Sequence, residues 1–459
     1  MPGPIAFPRK SAAVHGPVNL LYVGLATLVA ATSGLLFGFD IAVINGALLF
    51  LRQQFGLTEV QTEFAASSLL AGCVAGAAIG GWISDRLGRR KVLIYSAVLF
   101  AFSSIGAALP RNLTEFTIAR PAGGLAIGAA SVLAPLYIAE VSPPHIRGRL
   151  VSLNQMAIVT GILFAYVVNW TLSWAGPESW RWMFAVAAVP SVLFLVALFF
   201  VPESPRWLTE QGREDEARYV LTRVSNAETA ALQLDEIRST IAEESGTLKE
   251  LFEPGYRRAL ALAVALAVLQ QWTGVNTVLF YGSVILKEQV GGHSESAAIG
   301  ANVIIGLVNF LFTIVAIWLI DKLGRRVLLM GSAAGMVVAH LGLAIAFRIS
   351  PPPGALVVAL MILCVASFAV GLGPGVWVVL SEIFPTRIRG RAMSIATVSL
   401  WIACVALTFT FLSIASALGP SGAFGIYGLM CLATIVIVAR WTPETKGHTL
   451  EEIEHLWKR

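Results

Sequence analysis

Apolar stretches of about 20 residues, the length of helix that crosses a bilayer, recur along this chain, for example over Asn19 to Gly38, Phe184 to Val201 and Ala301 to Ile320. About twelve can be marked out. Unsatisfied backbone polar groups are costly in lipid, so stretches of this length and composition must be helices rather than isolated strands. The expected fold is therefore an all-α membrane protein. Composition points the same way. The 459 residues are 56% hydrophobic and 13% charged, with a mean hydropathy of +0.76, and a water-soluble core of ordinary size cannot hide that much apolar surface.

Arg9 and Lys10 ahead of an apolar run imitate a secretory signal. The run is too long for one and leads into functional-looking sequence around Asp40, so it reads as the first span. Cys73, Cys364, Cys404 and Cys431 each fall inside an apolar stretch without metal-ligand spacing and read as packing residues. The net charge of +5 would suggest a nucleic-acid partner in a soluble protein. Here the cations cluster between alternate spans, at Arg86, Arg89, Arg90 and Lys91, at Arg147 and Arg149, at Lys322, Arg325 and Arg326, and at Arg387, Arg389 and Arg391. By the positive-inside rule those loops and both termini are cytoplasmic, as an even number of spans requires. The basic balance reports topology in a cell membrane, and no nucleic acid is expected.

Three landmarks repeat in the same order about 240 residues apart. Asp85-Arg-Leu-Gly-Arg-Arg90 returns as Asp321-Lys-Leu-Gly-Arg-Arg326, Glu140 with Arg147-Gly-Arg149 returns as Glu382 with Arg389-Gly-Arg391, and Pro202-Glu-Ser returns as Pro443-Glu-Thr. The repeat divides the chain into a tail over 1–18, a six-helix bundle over 19–201, a linker over 202–257, a second six-helix bundle over 258–442 and a tail over 443–459. Two such halves in the same orientation place a ligand site between them near the bilayer midplane. In the linker, Ala217, Val220, Leu221 and Val224, and then Leu234, Ile237 and Ile241, keep a helical spacing, as do Leu450, Ile453 and Leu456 in the tail. Both read either as plain connections or as latches under the bundle.

With the motifs Gly81-Trp-Ile-Ser-Asp-Arg-Leu-Gly-Arg-Arg90, Pro202-Glu-Ser-Pro-Arg-Trp-Leu208, Gln270-Gln-Trp-Thr-Gly-Val-Asn276 and Pro443-Glu-Thr-Lys-Gly447, the chain resembles the sugar porter family of the major facilitator superfamily over nearly its whole length. The resemblance, which extends to proton-coupled bacterial sugar symporters and facilitative glucose transporters, implies the major facilitator fold of twelve helices in two pseudo-symmetric halves. It also implies a monosaccharide as substrate. The charged motifs at the cytoplasmic helix ends form a candidate gate: Asp85, Arg89, Arg90, Glu140, Arg147 and Arg149, with Glu203 and Arg206, and in the second half Asp321, Arg325, Arg326, Glu382, Arg389 and Arg391, with Glu444. Such pairs can lock the halves on one side and release them when the site turns inward; the plainer reading is anchorage of helix ends.

Ionisable residues deep in apolar spans are expensive and are functional candidates by default. Asp40 and Arg120 stand out, in the first and fourth spans. Desolvation raises a carboxyl's proton affinity and a neighbouring arginine lowers it, so a pairing that alternates also alternates proton binding. The resemblance implies aspartate at the position of Asp40 in proton-coupled members and a neutral residue in most facilitative ones. A fixed structural ion pair is the plainer reading. A sugar's hydroxyls call for amides and an aromatic plate, and Gln155, Gln270, Gln271, Asn276, Asn309, Trp377 and Trp401 match sugar-binding positions of the family. Taken singly, such amides more often join helix to helix.

Three positions depart from the family pattern: Phe280 replaces a frequent tyrosine, Leu400 precedes Trp401 where an amide is common, and Ala369 stands where some glucose carriers have glutamate. A pentose, a differently oriented hexose or a polyol therefore remains open. His340 reads as a packed, neutral histidine. Gly371, Gly373, Pro374 and Gly375 are expected to break the tenth span near Trp377. No nucleotide-binding loop, metal cluster or nucleophile constellation points to an enzyme or a cofactor. The expectation is a sugar:proton symporter working as a monomer in the lipid bilayer, with a facilitative uniporter and a non-transporting sugar sensor as the alternatives; short cytoplasmic tails weigh against the sensor.

Overall fold

The computed structural model describes residues 18–143, 145–243, 248–290 and 294–446. Among them, 11 helical stretches are long and apolar enough to cross a membrane. The last, Ile388–Trp441, has 54 residues. At about 1.5 Å per residue it would run about 80 Å, against a hydrocarbon core of about 30 Å. It is two spans, because Gly419 leaves the helical region with φ 72° and ψ 161° and Pro420 follows. The expected twelve spans result.

The first six spans are Leu20–Phe55, Glu59–Leu87, Arg89–Ala108, Leu113–Val141, Arg147–Leu172 and Ser179–Leu198; the seventh to tenth are Pro254–Lys287, Glu295–Ile320, Arg325–Ala346 and Gly354–Glu382. Local chemistry sets several boundaries. Thr58 and Gln61 form a reciprocal capping box that starts the second span. Asn112 and Ser294 cap the fourth and eighth spans through the N–H groups of Glu115 and Ala297. The seventh span is broken at Gly274, with φ 81°, and the tenth at Gly371, with φ −134° and ψ −68°. The expected break in the tenth span is thus present, at the first of its glycines.

Within the first half, small residues let backbones touch, the usual substitute for a hydrophobic driving force in lipid. A Cβ on Gly72 would overlap the Pro121 carbonyl, and one on Gly124 the Leu69 carbonyl, so the second and fourth spans cross at backbone contact. Gly38 and Gly161 do the same for the first and fifth spans.

Among the described residues between the halves lie three short α-helices, Pro205–Glu210, Glu214–Val224 and Ala227–Glu243, and a 3-10 turn at Leu248–Phe252. Their predicted apolar faces do meet: Trp207, Leu208, Ala217, Val220, Leu221, Ala230 and Leu234 form a separate small core with Ile237 against it. This unit docks on the first half. The Trp207 indole donates to the Asp85 carbonyl at 2.9 Å, and the Asn19 N–H donates to the Val224 carbonyl at 2.9 Å. The end of the bundle that carries these helices is called the linker end below, and the opposite one the far end. The tail positions Leu450, Ile453 and Leu456 lie outside the described residues, as does the side chain of Asp321.

Candidate functional site

Asp40 and Arg120 meet. Arg120 donates from one terminal nitrogen to Asp40 Oδ1 at 2.8 Å and from the other to the Asp40 carbonyl at 3.0 Å. The residues are 3% and 1% exposed, and the guanidinium lies 4.9 Å from the Phe184 ring centroid. The pairing is incomplete, since Asp40 Oδ2 and Arg120 Nε are buried without a hydrogen-bond partner. A buried pair with spare valences is a poor structural staple, because desolvation is offset only when the remaining groups are satisfied.

In the second half, the amides of the Gln270-Gln271 motif form a chain anchored to a helix break. Gln270 donates to the carbonyls of Leu372 and Gly373 at 2.7 and 3.1 Å, in the first turn of the helix that resumes the tenth span after its break. Gln271 donates to Gln270 Oε1 at 3.3 Å, and Asn276 donates to Gln271 Oε1 and lies 3.4 Å from Cys404 Sγ. Gln270 therefore supports the broken helix, while Asn276 and Trp377, both half-buried, together with Gln155 across in the fifth span, retain surface for a ligand. Trp401 is buried, lies 5.6 Å from the Phe37 ring of the first half, and has an indole N–H without a partner. Asn309 is 5% exposed. Phe280 is fully buried and offers no hydroxyl.

His340 sits at the other break. Its Nε2 lies 2.6 Å from the carbonyl of Thr273, freed by the turn at Gly274, and 3.4 Å from Cys364 Sγ. Among the described residues no carboxylate is bonded to it. Cys404 does more than pack, since it faces the Asn276 amide.

At the linker end the three repeated landmarks converge in space in each half. Arg89 grips Glu140 with a fork of 3.1 and 3.3 Å and bonds Asp85 at 3.1 Å. Glu203 accepts from the N–H groups of Arg89 and Arg90. Arg206 pairs with Glu210 at 3.2 Å and reaches Glu140 at 4.0 Å. The second half repeats this: Arg325 forks onto Glu382 at 3.2 and 3.0 Å, and Glu444 accepts from the N–H groups of Arg325 and Arg326. Glu203 and Glu444 thus cap the third and ninth spans, where a carboxylate also complements the helix dipole. Burial works to raise the Glu444 carboxyl, but the N–H groups of Lys446, Arg325 and Arg326 outweigh it and hold it below its ordinary value.

The turns explain the motif glycines. Gly88 and Gly324 have φ 99° and 87°, and a Cβ there would collide with Glu203 and Glu444 respectively. Arg90 and Arg326 turn away from the carboxylates and cap the ends of the sixth and twelfth spans through the carbonyls of Leu198 and Phe199 and of Ala439. Arg389 bonds the Phe384 carbonyl at 3.3 Å, while Arg147, Arg149 and Arg391 are exposed.

The sequence reading missed the far end, where the halves are bonded to each other. Asn45 of the first span donates to the Leu279 carbonyl at 2.7 Å and accepts from Ser283 at 2.5 Å. Tyr166 donates to the same carbonyl at 2.9 Å, and Gln53 donates to Glu295 at 2.5 Å. Glu63 of the second span takes both donors of Ser413. A carboxylate in the apolar run that opens the second span was the available signal for Glu63. These contacts shut the halves against each other at the far end.

Two six-helix halves, the first enclosing a buried ion pair and the second carrying a chain of amides, define a membrane transporter of the major facilitator fold. The family model described as "Sugar (and other) transporter" matches residues 26–457, and the chain belongs to that family. It is 39% identical over 443 residues to the arabinose-proton symporter of Bacillus subtilis, covering 95% of each chain. It is 37% identical over 480 residues to the D-xylose-proton symporter of Escherichia coli, covering 96% of each. Among solved structures, an inward-open conformation of the Escherichia coli xylose transporter is 36% identical, with a TM-score of 0.83 over 95% of this chain and 100% of that one.

Proposed function

We propose that this chain imports a monosaccharide by alternating access in symport with a proton. The observation that carries the proton step is the buried pair of Asp40 and Arg120 with one carboxylate oxygen unengaged. Protonation of Asp40 neutralises it and frees the guanidinium; loss of the proton restores the pair. A site that changes its charge as the halves rock couples the proton's gradient to the sugar's. A potential of about 100 mV supplies about 2.3 kcal/mol per proton, enough for roughly a fifty-fold sugar gradient at one proton per sugar.

The linker end is the cytoplasmic one, by the cation-rich loops, so the conformation faces inward. Gln271, Asn276, Trp377 and Trp401 from the second half and Gln155 from the first contact the sugar. Gln270 acts mainly through the helix break, and Asn309 extends the polar face. The carboxylate clusters at the cytoplasmic helix ends belong to the gate. Pentoses, hexoses and polyols all fit the chemistry of amides and indoles.

The test uses purified protein in liposomes with an internal pH dye and a panel of sugars. Sugar-induced proton entry is expected, lost in Asp40→Asn while sugar exchange survives. Uptake without proton movement would leave a uniporter, and binding without exchange would leave a sensor.

A further inference from the structure

Glu63 is a second intramembrane carboxylate, 1% exposed, and the sugar and proton steps above do not use it. Among the described residues no cation pairs with it. Its two oxygens accept from one residue of the other half, the Ser413 N–H at 2.8 Å and the Ser413 hydroxyl at 2.6 Å. A buried carboxylate without a countercharge needs such donors to remain ionised. Next to it, the Phe64 ring meets Phe409 at 6.4 Å, so this contact closes the second span on the eleventh.

The other far-end bonds given above from Asn45 and Tyr166 are made by neutral groups, and the one from Gln53 ends on a half-buried acid, Glu295. Glu63 is therefore the buried acid of this closure. Tyr281 of the seventh span and Tyr427 of the twelfth feel its charge, and Arg52 of the first span acts on Tyr281. Glu59 lies one turn away on its own helix, Glu115 opens the fourth span, and the eleventh brings no acid or base between Ala392 and Leu418.

Resting on the orientation and the transport reading above, we infer that Glu63 is a positioning residue for the outer gate: ionised, it holds the eleventh span against the second, and on taking a proton from the outer solution it lets them part. The chemistry is a change of acceptor into donor. The carboxylate accepts both Ser413 bonds; the acid has one oxygen occupied by its own proton and keeps one acceptor of full strength. External acid then favours the outward-open state, in which Asp40 loads its proton from the same side.

The experiment is a distance measurement by spin labels at Val60→Cys and Leu418→Cys, two exposed far-end positions on the second and eleventh spans, in the full-length protein in lipid nanodiscs. An Asp40→Asn background removes the titration of that site. Between pH 8 and pH 5, about three decades of proton activity, the open fraction is expected to rise. Glu63→Gln should raise the open-to-closed ratio about tenfold at pH 8, the loss of one charge-assisted bond, and flatten its pH dependence.

Ser413→Ala removes the hydroxyl from the opposite half. It should open the gate several-fold while leaving a reduced pH response, and it decides the matter if Glu63→Gln does not fold. Distances and pH response unchanged in either variant overturn the inference. So does a pH response that persists undiminished in Glu63→Gln. The distances need no turnover: a liposome assay without sugar movement, alongside an intact gate response, would sink the transport reading alone.

Discussion

Arg120 holds Asp40 through both a carboxylate and a backbone oxygen, so the two partners are unequal. Arg120→Ala strands a buried carboxylate and is expected to cost about 3–5 kcal/mol, read as a lower melting temperature in detergent. Adding Asp40→Asn should recover much of that loss, because the stranded charge disappears. The adjacent glutamines separate in the same way. Gln270→Ala removes the two bonds that tie the seventh span to the first turn after the tenth-span break and should lower thermal stability by about 1–3 kcal/mol as well as sugar affinity. Gln271→Ala should weaken sugar binding, measured by titration calorimetry, with a smaller change in melting temperature. Equal stability losses in the two variants would contradict this division. The amides were legible in the sequence as a set, but adjacency along a helix could not say which of the two turns toward a broken neighbour.

Among elements, the third and ninth spans start in the same way, each from a glycine with positive φ and each capped by a glutamate more than 100 residues downstream. Glu203→Ala and Glu444→Ala should each cost about 1 kcal/mol, the worth of a helix cap, and add nearly independently because they sit in different halves. The depressed Glu444 carboxyl gives this a pH signature. Its contribution is fully present above the unfolded carboxyl value and is lost as pH falls through the lower folded one, so the stability gap between the parent and Glu444→Ala should narrow in acid. Differential scanning fluorimetry across the acid range checks it, and a gap constant with pH would refute it. The repeated motif was visible as spacing; that its acid caps a helix, while Arg90 and Arg326 cap two others, needed coordinates.

For the whole molecule, the halves are bonded at the far end, and that balance sets the resting conformation. Asn45 spans the divide to Leu279 and Ser283. Asn45→Ala should shift the population toward far-end opening by about 1 kcal/mol, near fivefold, for each net bond lost. Spin-label distances between the second and eleventh spans read this shift. A distribution identical to that of the parent protein would remove Asn45 from the gate.

The sequence by itself determined the span number, the two-fold repeat, the amphipathic linker and the pairing of Asp40 with Arg120, because lipid imposes helix length on the apolar pattern and makes every internal charge conspicuous. Tertiary structure alone decided which end of the bundle is shut and which residues shut it. Asn45, Glu63, Ser283 and Ser413 are ordinary polar residues in separate helices, and their meeting depends on how two rigid halves lean on each other. No local period or spacing encodes that angle, since the same helices serve both conformations.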